Sequence, residues 1–128
     1  MKKFFSTIAL ALIANISLTA AERKYDVASP DGTLKTEVVV GETILYSVFK
    51  NDQKILDPSA VAMELSDGTV FGQGGAPKKV TRSKVDNVLD ATFYKKSKVV
   101  EKYNELAFTF KTYKLIFMVY DAGVAYRF

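Results

Sequence analysis

The 128-residue chain contains no cysteine, no histidine and no tryptophan. Without cysteine there are no disulfides, no thiolate catalysis and no lipid-bearing cysteine of a bacterial lipoprotein. An exported domain of this kind is held by its core alone. Without histidine the commonest general base and a common metal ligand are gone, which leaves a zinc site without its usual donors. Charge of one sign is scarce as well. The formal net charge is +4, and Lys2 and Lys3 carry two of these charges, leaving +2 on the remainder. That is an ordinary mixed surface and gives no argument for a polyanion partner. After the first 21 residues there is no sustained helical period, no internal repeat and no second long apolar run.

What is present begins with a leader. Lys2 and Lys3 form a positive start, Phe4 to Leu18 is apolar but short for a spanning helix, and Thr19-Ala20-Ala21 supplies small residues for cleavage. Residues 1–21 therefore read as a cleavable signal peptide and 22–128 as one domain, exported to the periplasm and clear of the membrane once cleaved. About 107 residues then remain, enough for one modest core.

Nine Phe and seven Tyr give the chain a β-leaning aromatic content. The most hydrophobic part after the leader is Tyr103–Phe128, with apolar runs at Leu106–Phe110, Leu115–Tyr120 and Val124–Phe128. The middle run is apolar on both faces and reads as a strand buried on both sides. Upstream, Tyr25–Ala28 is a candidate first strand, followed by a turn at Ser29-Pro30-Asp31-Gly32. Leu34–Val40 alternates, with Leu34, Thr36, Val38 and Val40 on one face. Gly41-Glu42 suits a two-residue type II′ turn, and Ile44–Lys50 returns. Asn51-Asp52-Gln53 turns again. Lys54-Ile55-Leu56 reads as an edge or loop segment stopped by Asp57-Pro58.

Val61–Leu65 and Thr69–Phe71 form a second hairpin about an Asp67-Gly68 turn of type I′. Lys78–Val88 reads as loop plus one exposed strand, Ala91–Tyr94 as a short strand, and Lys95–Glu101 as a connection leading into the next strand. Short strands and turns at this spacing specify an all-β fold, an antiparallel β-sandwich. The sequence stops at Phe128 in mid-alternation, where domains ordinarily close on polar residues. A truncated piece of a longer protein is the expectation, with a C-terminal strand tucked into the sheet as the alternative.

Candidate chemistry is sparse. Gly72-Gln73-Gly74-Gly75 lacks the Gly-Lys-Ser/Thr ending and the helix of a phosphate loop, so it reads as a loop. Lys78, Lys79, Arg82 and Lys84 form one basic cluster and Lys95, Lys96, Lys98 and Lys102 another, with Tyr94 and Tyr103 interleaved. Asp86, Asp90 and Glu101 dilute both, so they read as solvated strand faces rather than a polyanion site. Asp31 and Asp67 sit in turns and are explained by turn chemistry rather than calcium. Carboxylates are plentiful, but nothing in the sequence pairs two of them across a cleft.

A set of segments, taken in order, carries a resemblance. They are Ser29-Pro30-Asp31-Gly32-Thr33-Leu34, Ile44-Leu45-Tyr46-Ser47-Val48, Leu65-Ser66-Asp67-Gly68-Thr69, Ala91-Thr92-Phe93-Tyr94-Lys95-Lys96-Ser97, Tyr103-Asn104-Glu105-Leu106 and Asp121-Ala122-Gly123-Val124-Ala125-Tyr126-Arg127-Phe128. Together they resemble the start of the N-terminal domain of glycoside hydrolase family 97, exported α-glucosidases and α-galactosidases of the Bacteroides group. The resemblance implies a partial β-supersandwich akin to mutarotase-like folds. It places the family's catalytic carboxylates, and most calcium ligands of its α-glucosidase branch, in a (β/α)₈ barrel further along. No catalytic residue, metal ligand or cofactor is therefore expected in this chain, calcium being an expectation only for a full-length member.

The resemblance also implies a domain that packs on the barrel and helps wall the sugar site. The expected partners are that barrel and, weakly or indirectly, a carbohydrate such as an oligosaccharide or α-galactoside; nucleic acid is not expected. Tyr103, Asn104 and Glu105 match a family segment and are the candidate ligand-binding or domain-interface residues, with a plain polar strand entry as the other role. The preferred reading is a non-catalytic piece of an exported α-glycosidase. The alternative is an independent periplasmic β-sandwich binding or protein-interaction module.

Overall fold

A computed structural model describes residues 21–128 apart from 74, 93, 94 and 96. The signal-peptide reading of residues 1–21 thus falls almost wholly outside the described residues, as do Phe93 and Tyr94 of the expected Ala91–Tyr94 strand. The described chain forms ten strands: β1 (Arg23–Ala28), β2 (Leu34–Val40), β3 (Ile44–Lys50), β4 (Gln53–Ala60), β5 (Met63–Glu64), β6 (Val70–Phe71), β7 (Lys79–Asp90), β8 (Lys98–Thr109), β9 (Lys114–Tyr120) and β10 (Gly123–Arg127). All paired strands are antiparallel. They make one sheet ordered β1-β2-β3-β4, a second ordered β10-β9-β8-β7, and a small β5-β6 ribbon. This is the all-β sandwich expected.

The period-two pattern of β2 is borne out residue by residue: Leu34, Thr36, Val38 and Val40 are buried, while Lys35, Glu37 and Val39 are not. From the facing sheet, Leu106, Phe108, Leu115, Phe117 and Val119 are wholly buried against them. Tyr25 of β1 meets Phe108 of β8 edge-on at 5.1 Å, and Tyr46 of β3 meets Phe117 of β9 at 5.7 Å and Tyr126 of β10 at 5.6 Å. Such aromatic pairs add about 0.5–1.5 kcal/mol each beyond their buried area. One end is closed by Tyr113, stacked between Phe71 at 4.8 Å and Phe110 at 4.6 Å, with its hydroxyl accepting the Gly72 N–H at 3.1 Å.

Several local expectations are corrected. The β2–β3 link is a three-residue loop between the paired Val40 and Ile44, and Gly41 lacks the positive φ of a type II′ turn; Thr43 instead bridges to Gln73. The I′ geometry appears one turn later, where Asn51 (φ 49°) and Asp52 (φ 64°) both adopt left-handed backbone between Lys50 and Gln53. The Asp67-Gly68 turn is a three-residue loop with only Gly68 left-handed; Gly68 N–H donates to Leu65 C=O and Asp67 caps Thr69 N–H. The strand after the second turn does not stop at Asp57: β4 runs through Pro58, which is tolerated because β4 is an edge strand with an irregular register against β3.

Three strands differ in extent or exposure. The expected Val61–Leu65 strand shrinks to Met63–Glu64, because Val61 leaves the ribbon and its N–H donates to Ile44 C=O. Lys79–Asp90 is one continuous strand rather than loop plus strand. The apolar β9 is fully buried only through Leu115, Phe117 and Val119; Ile116, Met118 and Tyr120 stay half-buried, because only one sheet lies over it.

Candidate functional site

The two sheets do not face each other strand for strand. β1 lies over β8, β2 over β9, and Tyr46 of β3 reaches Tyr126 of β10. The sandwich is therefore slipped by one strand: β7 projects past the edge of β1, and β4 past the edge of β10. Each overhang leaves a strand's inner face uncovered beside a free sheet edge, and a concave space opens at each.

The first space, about 360 Å³, lies between β1 and the overhanging β7 and includes Asp26, Ala28, Arg82, Lys84 and Asn104 in its lining. Its geometry follows from β-strand alternation. Val27 is buried toward the core, and Ser29 N–H donates to Leu34 C=O, so the odd residues of β1 bond to β2. The backbone groups of Asp26 and Ala28 consequently face away from β2, across the groove. The Asn104 side-chain amide donates to Ala28 C=O at 2.8 Å, and the Arg82 guanidinium donates to Asp26 C=O. A strand edge that would otherwise template pairing is thus stopped by side chains from the opposite sheet.

The three sequence candidates are adjacent in β8 but do not converge. Asn104 faces inward and ties β8 to β1. Tyr103 and Glu105 face outward: Tyr103 packs on Tyr120 at 4.9 Å, and Glu105 accepts from Ser83 Oγ at 3.4 Å, a long contact. Burial first, then the charges of Glu101 and Glu105 and the neighbouring Tyr120, raise the Tyr103 phenol above its ordinary value, with Arg127 opposing. Arg82 was noted in the sequence only as part of a basic cluster. Its signal was the period-two run Arg82, Lys84, Asp86 on one strand face, but its partner carbonyl lies 56 residues away.

The second space, about 400 Å³, lies between β4 and the β9–β10 turn, bounded by Tyr46, Leu56, Asp121 and Val124 among others. At its rim, Asp31 N–H donates to Asp121 Oδ1 at 2.9 Å, joining the β1–β2 turn to the β9–β10 turn. The Asp31 carboxylate accepts from Ser29 Oγ at 2.7 Å, from Thr33 N–H at 2.9 Å and from Thr33 Oγ1 at 2.8 Å. The Ser29 hydroxyl first, then the two Thr33 donors, hold its pKa down at about 2. This is turn chemistry: the donors satisfy the carboxylate and leave it no catalytic role. Among the described residues no three His, Cys, Asp or Glu side chains gather as a metal site.

Comparison with known proteins places this geometry. A family profile described as glycosyl-hydrolase 97 N-terminal matches residues 27–128. A retaining alpha-galactosidase of Bacteroides thetaiotaomicron is 36% identical over 129 aligned positions, covering all of this chain and 19% of the relative. The chain thus spans about a fifth of that relative. Two solved structures of a glycoside hydrolase family 97 enzyme from Pseudoalteromonas sp. strain K8, one in complex with acarbose and an E480Q form in complex with panose, share the fold. Each has a TM-score of 0.67 at 22% identity, covering 80% of this chain and 17% of the enzyme. What aligns is the N-terminal domain alone, without a catalytic barrel. The chain belongs to the glycosyl-hydrolase 97 N-terminal domain family.

Proposed function

We propose that this domain serves an exported α-glycosidase, an α-glucosidase or α-galactosidase, by docking on its catalytic barrel and helping to wall the sugar site. In this reading residues 1–21 direct the protein to the periplasm and are removed. Oligosaccharide or α-galactoside touches the domain weakly or indirectly, through Tyr103, Asn104 or Glu105, and calcium belongs to the larger protein rather than to this domain. The observation that carries the reading is the match of residues 27–128 to a glycosidase N-terminal domain, in a chain that covers 19% of its Bacteroides relative.

Exposed apolar surface supports it. The β7–β8 arm runs beyond the end of β9, and Val88 (60% exposed), Leu89, Val99 and Val100 (66% exposed) stand in water there. Ile116 and Met118 add an outer sheet face that no strand among the described residues covers. Val88 and Val100 are paired on one face of the arm and Leu89 and Val99 on the other. Exposed apolar surface of this kind favours an interface over a self-contained module, the other reading, which would be expected to hide it.

The test is co-production with the Bacteroides relative from which the matching fifth has been removed. The expected result is co-purification and a gain in α-galactoside hydrolysis, both reduced by Val100→Asp. A chain that stays apart from the truncated enzyme, while folded by circular dichroism, would overturn the reading.

A further inference from the structure

The groove beside β1 has a chemistry that docking on a barrel does not use, and we propose that it binds an acidic oligosaccharide, one bearing uronate carboxylates. The inference is independent of the barrel and stands on the groove alone. The space of about 360 Å³ is adjoined, past Pro30, by a further space of about 200 Å³; the two share Lys84 and Asn104 in their linings. Together they reach the size of ordinary small-ligand sites, about 300–1,000 Å³.

The polar groups left over in this trench are mostly donors. The inner face of β7 presents Arg82, Lys84 and Asp86, and the facing positions of β8 present Asn104 and Lys102, the latter directly across from Asp86. Three cations thus share the floor with one carboxylate. The wall is the outer edge of β1. Its carbonyls at Asp26 and Ala28 already accept from Arg82 and Asn104, so the N–H groups of the same two residues are what it offers. Asp26 and Glu105 also line the first space, at positions that alternate with the core-facing Val27 and Leu106 and so belong to the strand faces opposite the floor.

A site with surplus donors and cations takes a ligand rich in acceptors, and a carboxylate is the strongest simple one. Among the described residues no aromatic ring lines either part of the trench, which disfavours a neutral sugar ring or a nucleobase that needs a stacking platform. An extended peptide would need donors and acceptors in alternation along β1, and the acceptors are taken. A carboxylate-bearing sugar chain needs no such ladder.

Calorimetric titration of the purified protein with trigalacturonate, and with maltotriose as the neutral sugar of equal length, tests this. The expected result is binding of trigalacturonate only, weakened by added salt and by roughly three- to tenfold in each of Lys84→Gln and Lys102→Gln. Neither substitution touches the Arg82 and Asn104 contacts, and circular dichroism checks that both variants fold. The proposal is overturned by equal binding of maltotriose, by unchanged affinity in both lysine variants, or by no heat at tens of millimolar trigalacturonate. Tighter binding of triglutamate than of trigalacturonate would also overturn it, reassigning the trench to an acidic peptide.

Discussion

The side-chain amide of Asn104 crosses from one sheet to the other and donates to the Ala28 carbonyl at 2.8 Å. It closes a backbone acceptor on an edge strand, and it does so only because the sheets are slipped by one strand. Asn104→Leu keeps the volume and removes the donor. The expected cost is about 1–2 kcal/mol, read as a lower urea midpoint at unchanged slope. Glu105→Gln, on the outward face, is expected to leave the midpoint where it is.

Thr36 makes the opposite case. It is wholly buried among Leu34, Val38 and the facing strands, and its hydroxyl has no hydrogen-bond partner among the described residues. Thr36→Val replaces that hydroxyl with a methyl of similar size. Stability is expected to rise by about 1 kcal/mol. A denaturation midpoint that falls instead would show that the hydroxyl is satisfied in solution.

Gly72 admits no side chain. Its φ is +95°, and a Cβ there would stand 2.1 Å from the Val61 carbonyl oxygen and 2.9 Å from the Ala62 Cα. Both obstacles are backbone, so neither can swing aside. Gly72→Ala is expected to cost about 3 kcal/mol or more, or to prevent folding. Gly32, also left-handed but with open space around it, is expected to cost clearly less on the same substitution.

Acid should act through Asp31. Its pKa in the folded protein is about 2 against an ordinary 3.8, so the unfolded chain binds the proton more readily. The contribution is complete above about pH 4 and is lost as pH falls through about 2. Melting curves taken from pH 5 downward are expected to show a decline that Asp31→Asn flattens. Parallel decline in both proteins would assign the acid sensitivity elsewhere.

Strand boundaries were legible where one face is buried and the other is not. β2 and β3 begin and end as the alternation of Leu34–Val40 and the return at Ile44 require. Legibility failed where both faces share one environment. β7 carries a polar mixture because both of its faces are largely exposed, so apolar and polar residues do not alternate through Lys78–Val88, and the charged run Arg82, Lys84, Asp86 is all that marks its period of two. β9 failed in the opposite sense: Ile116 and Met118 are as apolar as core residues, but no second layer among the described residues covers them. Pro58 was read as a stop because sequence does not reveal that β4 is an edge.

The site was less legible than the fold. Tyr103, Asn104 and Glu105 stand together in sequence, yet alternation sends Asn104 to one face and its neighbours to the other. What Asn104 and Arg82 do depends on the lateral slip of one sheet over another, a relation between residues 76 and 56 positions apart. No local pattern records such a relation.

The central proposal, that this domain serves a glycosidase without itself carrying the chemistry, is tested most directly by assaying the purified protein on 4-nitrophenyl α-galactoside and α-glucoside. The account predicts release of nitrophenol no faster than in buffer. Turnover well above that background, abolished by Asp26→Asn or Glu105→Gln at unchanged fold, would contradict it.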